Sequence, residues 1–148
     1  MVSSRGESKG YLATFVEGKT RLYIAVKMDD RTKDSMFLAI SSLYNTLTSK
    51  LLKTFTVDRG KEFACYEQVE TKFGIPMYFA NAYAAWQRGT NENSNGLLRK
   101  FFPKKTNLAQ VTQDKLREAL MLINNRPRKC LGFKTPFDMF KHEIRKLI

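Results

Sequence analysis

The strongest constraint on the fold of this chain is the order in which β-forming and helical segments follow one another. Two stretches rich in β-forming residues, 11–17 and 22–28, flank the short sequence GKTR, which predicts a β-hairpin. Shorter strands are predicted at 53–58 and 75–80, with helical segments between and after them. Alternating strands and helices behind an antiparallel hairpin indicate an α/β fold with a mixed sheet.

The helical segments are recognised by apolar spacing and by residues that start or stop helices. The first carries apolar residues at helical intervals, namely Met36, Ile40, Leu43 and Leu47. Thr32 or Asp34 is predicted near its N-terminal cap, and Gly74 is predicted to end a second helix that starts near residue 61. Further helices are predicted from residue 88 or 90 to 102, behind Thr112, and at 136–146.

Length and composition exclude several classes of protein. The 148 residues predict one domain, and a hydrophobic content of 43% is sufficient for a packed core. No apolar run approaches the roughly 18 residues that a membrane span requires, and no signal peptide is predicted. Cys65 and Cys130 lack metal-ligand spacing and are expected to be reduced thiols in the cytosol. With His142 as the single histidine, a histidine-based triad or a zinc site is not expected.

The net charge favours a polyanionic partner. Lys and Arg total 26 against 14 Asp and Glu, which gives +12 and an isoelectric point near 9.9. Such an excess favours nucleic acid, because each phosphate neutralised by Lys or Arg releases condensed counterions. A basic surface without a polyanionic partner is the alternative. An anionic membrane is a weaker one, since no basic amphipathic helix with a broad apolar face is evident.

Two acids are candidates for chemistry. Asp58 follows a predicted strand, and ligands bind at the carboxyl ends of strands in α/β sheets, although Asp58 can equally cap the next helix. Glu92 stands alone among polar residues at the start of a predicted helix. Two such carboxylates can share Mg²⁺, which completes its shell with water and phosphate oxygens. The alternative for Glu92 is a solvated acid stabilised by the helix dipole. Glu62 is a third acid nearby, either a supporting group or a helix cap.

Longer stretches of the sequence resemble a known family. They are TVDRGKEF, YFANAYAAWQRGTNENSNGLLRKFFPKKTNLAQVTQ and INNRPRKCLGFKTP. Together they resemble bacterial insertion-sequence transposases of the thirty type, within the DDE transposase and retroviral integrase superfamily. The resemblance covers essentially the whole chain. It implies a ribonuclease-H-like α/β fold, a mixed sheet with helices on both faces, and an integrase-type catalytic core domain over residues 1–148.

The resemblance also implies a chemistry and a site. The family cleaves DNA and transfers strands with three acids, Asp, Asp and Glu, on two Mg²⁺ or Mn²⁺ ions. Asp58 resembles the second Asp and Glu92 resembles the Glu. Both are therefore expected to be catalytic metal ligands. The expected partner is double-stranded DNA at element ends and targets, with a homo-oligomer allowed and no membrane. The expected location is the bacterial cytoplasm, associated with the nucleoid.

The helix that carries Glu92 is expected to pass beside the DNA. Leu97, Leu98 and Phe101 are expected to anchor its other face. Tyr83 and Trp86 are expected either to stack on bases or to pack in the core. The residues expected to contact DNA are Arg88, Asn91, Asn95, Arg99, Lys100, Lys104, Lys105, Arg126, Arg128 and Lys129. For the charged residues, a merely solvated surface is the alternative.

The sequence departs from the family pattern at its N-terminus. In the family the first Asp lies on the first strand, a central strand between the second and the fourth, just before the hairpin. Here MVSSRGESKG stands at that place without a matching Asp, so the first strand is expected to be largely missing and the domain N-terminally truncated. Transposition chemistry by phosphoryl transfer is therefore expected to be impaired. The alternative is a non-catalytic, DNA-binding remnant of a transposase.

Overall fold

The computed structural model describes residues 2–3, 10–47, 52–57, 60–80, 89–103 and 106–147, with the backbone alone at 2–3, 89–92 and 147. Five strands and five α-helices occur in these ranges. The strands are β1 (Val2–Ser3), β2 (Tyr11–Val16), β3 (Tyr23–Met28), β4 (Phe55–Val57) and β5 (Met77–Phe79). The helices are α1 (Lys33–Thr46), α2 (Tyr66–Phe73), α3 (Gly89–Phe101), α4 (Gln113–Asn124) and α5 (Pro136–Leu147).

The strands form two hydrogen-bonded groups. β1, β2 and β3 pair antiparallel in that order, while β4 and β5 pair parallel. The antiparallel and parallel strand pairs predicted for a mixed sheet are therefore both present. Within the described ranges, no backbone hydrogen bonds join the two groups of strands. A cavity of about 520 Å³ lies between them, lined by residues 14–16 and Phe55–Val57 among others. This is the place that the family resemblance assigns to the first strand, of which β1 supplies two residues.

Helices cover both faces of the antiparallel strands. Successive residues of a strand point to opposite faces, and in β2 Ala13 packs with the buried side chains of α1, whereas Leu12 packs with those of α3 and α4. The first cluster continues through β4 to Val69 of α2. The second contains Leu98 of α3 and Ile123 of α4, both fully buried. Each face thus has its own apolar core, as an α/β sandwich requires.

The predicted helix boundaries are largely confirmed by capping interactions. The Thr32 hydroxyl accepts a hydrogen bond from the Ser35 backbone N–H at 3.2 Å, so Thr32 is the N-cap of α1. Thr112 caps α4 in the same way through Lys115. Gly74 ends α2 in the left-handed conformation, at φ 67°. Among the helices described, none is long and apolar enough to cross a membrane.

Two details differ from the expected elements. The helix predicted from residue 61 begins as a tight 3-10 segment, Lys61–Cys65, and becomes α-helical only at Tyr66. The 3-10 turns let the side chains of Glu62 and Cys65 point inward together. The predicted strands 53–58 and 75–80 are described as three-residue strands, because the ladder between β4 and β5 spans three residue pairs.

One buried polar contact joins the sheet to the helices that cover it. The side chain of Asn124, on α4, accepts a hydrogen bond from the Tyr23 backbone N–H at 2.9 Å and donates one to the Tyr23 carbonyl oxygen at 2.8 Å. Asn124 is 3% exposed. Since buried backbone groups need partners, the amide completes the hydrogen bonding of Tyr23 where a further strand would otherwise be needed.

Replacing Asn124 with Ala is expected to lower the free energy of unfolding by about 2–4 kcal/mol, because a buried N–H and a buried carbonyl lose their partner together. Urea unfolding followed by circular dichroism measures the change. Asn125→Ala removes the neighbouring exposed amide and serves as the matched control, with an expected change within about 0.5 kcal/mol. Equal losses in both variants would contradict the assigned role.

Candidate active site and nucleic-acid interface

The candidate site begins where the two parallel strands end. The Ala80 backbone N–H donates to the Val57 carbonyl oxygen at 2.8 Å, so the two chain segments leave the sheet side by side. Asp58 follows Val57 directly, but residues 58–59 lie outside the described residues, as do residues 81–88 with Tyr83, Trp86 and Arg88. The described backbone therefore shows where β4 ends, directly before Asp58, and the position of the Asp58 side chain stays a prediction.

Glu62 is the acid described nearest to this strand end, and it faces the protein interior. Its carboxylate is 2% exposed and accepts a hydrogen bond from Nε of Arg31 at 3.1 Å. Gly60 lies against it: a Cβ at residue 60 would stand 2.6 Å from Glu62 Oε2, so a larger residue would force the carboxylate away from its present position. Of the two alternatives from the sequence, a supporting group is favoured over a helix cap, because Gly60 occupies the cap position. Arg31 was not identified from the sequence.

Glu92 lies in the first turn of α3, which begins at Gly89. The side chains of residues 89–92 are outside the described part of the structure, so the positions of the Glu92 and Asn91 side chains stay predictions. What the structure does describe is the packing of the rest of the helix. Ser94, Leu98 and Phe102 form its buried face, at 1%, 0% and 8% exposure.

The expected anchoring of α3 is partly right. Leu98 is buried and Leu97 packs partly against the same core, but Phe101 is 39% exposed, and Phe102 packs in its place. Phe102 directly follows the last residue of α3, where its backbone N–H donates to the Leu98 carbonyl oxygen at 3.0 Å and its ring joins the same core as Leu98.

A hydrogen bond to the sheet fixes the orientation of α3. The buried hydroxyl of Tyr23 donates to Oδ1 of Asn95 at 2.7 Å, one helical turn after Glu92. Burial raises the pKa of Tyr23 above its usual value, an effect that outweighs the opposing hydrogen bond with Thr14 and the charge of Arg99. The hydroxyl therefore stays neutral and remains a donor. Asn95 was expected to contact DNA, but its side-chain oxygen accepts this hydrogen bond within the protein.

The remaining cations predicted to meet DNA differ in exposure. Lys100, Arg126 and Lys129 are exposed. Arg99 and Arg128 are half-buried, and the charge of Arg99 acts on Tyr23. In Arg128, Nε and Nη2 are buried and have no hydrogen-bond partner among the described residues. Lys104 and Lys105 lie outside the described ranges.

Several of the described acids already have partners within the protein and are therefore poor candidates for binding a metal ion. Glu62 is paired with Arg31, Glu17 accepts bonds from Lys19 and Thr20, and Asp30 accepts bonds from Thr32 and Ser35. Within the described side chains, no three acidic, histidine or cysteine residues cluster as a metal site would. Asp58 and Glu92 would supply carboxylate oxygens, the donors that Mg²⁺ prefers. The donor chemistry of these two residues therefore fits a divalent cation.

Comparison with known proteins gives a consistent result. Transposase InsI of insertion sequence element IS30A from Escherichia coli (strain K12) is 41% identical over 139 residues, which are 94% of this chain and 36% of that protein. The chain thus spans about a third of the length of this curated relative. No protein-family model matches the chain.

Solved structures establish the fold. The catalytic core domain of BIV integrase superposes with a TM-score of 0.73 over 95% of this chain and 91% of that one, at 21% identity. The catalytic core domain of HTLV-2 integrase, in a trimeric form with magnesium, gives a TM-score of 0.68 over 91% and 87%, at 16% identity. The predicted ribonuclease-H-like fold is therefore confirmed.

Gly96, on the exposed side of α3, provides a test of whether that side is open. A Cβ there would meet no atom within 4 Å, and Gly→Ala inside a helix stabilises by up to about 1 kcal/mol. Gly96→Ala is therefore expected to raise the unfolding free energy by about that amount. Gly74→Ala is the control, because its site is equally open but has φ 67°, where Ala is strained. A loss of stability in Gly96→Ala, measured by urea unfolding, would contradict an open face.

Proposed function

Because the chain belongs to the insertion-sequence transposases of the thirty type, we propose that it acts in DNA transposition as part of their catalytic core. The observation that carries this proposal is the 41% identity along 94% of the chain. The reaction is phosphoryl transfer on DNA, with cleavage and strand transfer at the ends of the element. The ribonuclease-H-like fold, which retroviral integrase catalytic cores share, supports the proposal.

In this proposal, Asp58 and Glu92 hold the divalent cation. Asp58 directly follows β4, and Glu92 lies in the first turn of a helix held to the sheet by Tyr23. Magnesium accompanies the solved HTLV-2 core, which supports Mg²⁺ or Mn²⁺ here. When bound, such an ion polarises a phosphate and stabilises the leaving oxygen.

Glu62 and Arg31 serve as positioning residues for this site. Glu62 lies four residues after Asp58, and its ion pair with the partly exposed Arg31 holds the 3-10 segment that starts at Lys61. Gly60 lets the turn close against the carboxylate. A carboxylate already paired with an arginine is a poor substitute for a missing metal ligand, so Glu62 does not replace the family's first Asp.

The chain is therefore proposed to perform the chemistry slowly. Two-metal phosphoryl transfer would need carboxylates for a second ion as well, and β1, the part of the first strand that the structure describes, contains no acid. The second candidate function is a DNA-binding remnant without catalysis, and it is favoured by the same lack of a residue matching the family's first Asp. Both candidates share DNA as partner, in the bacterial cytoplasm, and the trimeric HTLV-2 core suggests testing for a homo-oligomer.

DNA binding is proposed to follow the exposed cations. Lys100 extends from the last turn of α3, and Arg126, Arg128 and Lys129 form the basic loop after α4. The net charge of +12 makes contact with phosphates favourable along such a surface. Arg128 is partly desolvated, so its charge interacts more strongly with an anion than a fully hydrated one.

Replacing Arg126, Arg128 and Lys129 together with Ala is expected to weaken duplex binding and to lower the slope of log affinity against log salt by up to about 2.7, the value for three lost phosphate contacts. Fluorescence anisotropy at several salt concentrations measures both quantities. A triple variant of Lys33, Lys53 and Lys115, which are exposed elsewhere, removes the same charge as a control. Equal slopes in the two triple variants would place the DNA elsewhere.

Glu92→Gln and Asp58→Asn are each expected to weaken Mn²⁺ binding by about tenfold or more, as loss of a carboxylate ligand requires. Isothermal titration measures this, and Glu118→Gln, an exposed acid on α4, is the control.

Incubation with Mn²⁺ and a duplex carrying the element's own end then separates the two candidate functions. Slow nicking that Glu92→Gln abolishes supports the enzyme, and its absence in the parent chain supports the remnant. Unchanged Mn²⁺ binding in both variants would contradict the assigned site.

A further inference from the structure

The loop between α4 and α5 displays an aromatic ring in a strained backbone conformation. Phe133 is 71% exposed, the highest value among the large apolar side chains that the structure describes. Its φ is 65°, in the left-handed region that bulky residues rarely adopt. Single exposed apolar residues are common on protein surfaces. An exposed aromatic that is also held in a disfavoured conformation requires an explanation.

Hydrogen bonds within the loop hold Phe133 in this conformation. Its backbone N–H donates to the Arg128 carbonyl oxygen at 2.8 Å, and the Arg128 N–H donates to the Lys134 carbonyl oxygen at 3.0 Å. The N–H groups of Leu131 and Gly132 donate to residues 128 and 129. The loop is therefore closed on itself like a small hairpin by the bridge between Arg128 and Lys134, and Phe133 lies directly before that bridge on the returning side. The backbone hydrogen bonds of the loop therefore hold the Phe133 ring in its exposed position.

The charge around the ring indicates what it can meet. No acidic residue occurs between Glu118 and Asp138, whereas Arg126, Lys129 and Lys134 are exposed in that stretch. An apolar protein partner would gain little from these cations. A nucleic acid offers both groups that the loop can use, phosphates for the cations and flat bases for the ring.

We propose that Phe133 stacks on an unstacked base of DNA while the cations beside it bind the adjoining phosphates. Bases inside a duplex are already stacked on their neighbours, so an exposed ring on the protein surface reaches a base face only at an unpaired end or a distorted step. This loop then reads where a DNA strand ends or opens. The inference rests on the proposed function, since it presumes that DNA is the partner.

The strain is consistent with this role. Residues in disfavoured backbone regions persist where function selects the side chain over stability. A glycine at position 133 would adopt φ 65° without cost, as Gly132 does at φ 62°. Phenylalanine at this position therefore makes the loop less stable than glycine would, and it places an aromatic ring on the surface.

Four variants separate the ring from the backbone: Phe133→Ala, Phe133→Gly, Phe133→Tyr and Lys134→Ala. Binding is measured by anisotropy on a blunt duplex and on the same duplex with a three-nucleotide single-stranded overhang. The parent is expected to prefer the overhang. Phe133→Ala and Phe133→Gly are expected to lose about tenfold on the overhang DNA, the loss of one base stack, with little change on blunt DNA.

The other variants test the remaining features of the proposal. Phe133→Tyr keeps an aromatic face and should keep the preference. Phe133→Gly should also raise Tm by about 3 °C through relief of strain, so its weaker binding cannot arise from misfolding. Lys134→Ala should weaken both DNAs and lower the salt slope, as loss of a phosphate contact does.

The outcomes distinguish this inference from the proposed function. If the parent binds no DNA, both fail. If the parent binds with the salt dependence described above but Phe133→Ala keeps the overhang preference, only the stacking role is overturned. A change of oligomeric state in Phe133→Ala, seen by sedimentation without a change in DNA binding, would also overturn it and would assign the ring to a contact between copies of the chain.

Discussion

The hydrogen bonds of Tyr23 hold together three elements on which the proposed site depends, β3, α3 and α4. Its backbone is completed by the Asn124 amide of α4, and its hydroxyl bonds to Asn95 of α3. A single strand residue thus fixes both helices of one face against the sheet. Because Asn95 follows Glu92 by one helical turn, the same contact sets the position of the turn from which the proposed metal ligand extends.

A second contact holds the start of the 3-10 segment. The carboxylate of Glu62 lies in the protein interior, where a lone carboxylate would be costly, and it is paired with Arg31, whose side chain is partly exposed. It needs the close approach of Gly60 and the tight 3-10 turn that starts the following helix. The segment from Gly60 to Cys65 is therefore preorganised by groups to which no chemistry is assigned, as the support of a functional site requires.

Stability is lower than it needs to be at two places on the proposed DNA surface. Gly96 stands in the middle of a helix without a steric reason, and Phe133 adopts a backbone conformation suited to glycine. Selection for a property other than folding explains such residues economically. Both lie beside exposed cations, Lys100 and Lys134, so contact with DNA is a common explanation.

The sequence by itself determined the order of the elements, the helix cap at Thr112, the stop at Gly74 and the likeness to a transposase family, because these depend on local spacing and on motifs. For the first helix it left Thr32 and Asp34 open as caps, and the structure assigned Thr32. Asp58 and Glu92 were also identified in this way, and their side-chain positions stay predictions. Only the tertiary structure decided that Phe102 packs where Phe101 was expected, that Arg31 neutralises Glu62, and that Tyr23 holds α3. These contacts join residues far apart in the chain, 31 positions between Arg31 and Glu62 and 72 between Tyr23 and Asn95, and no local pattern encodes which distant side chains meet.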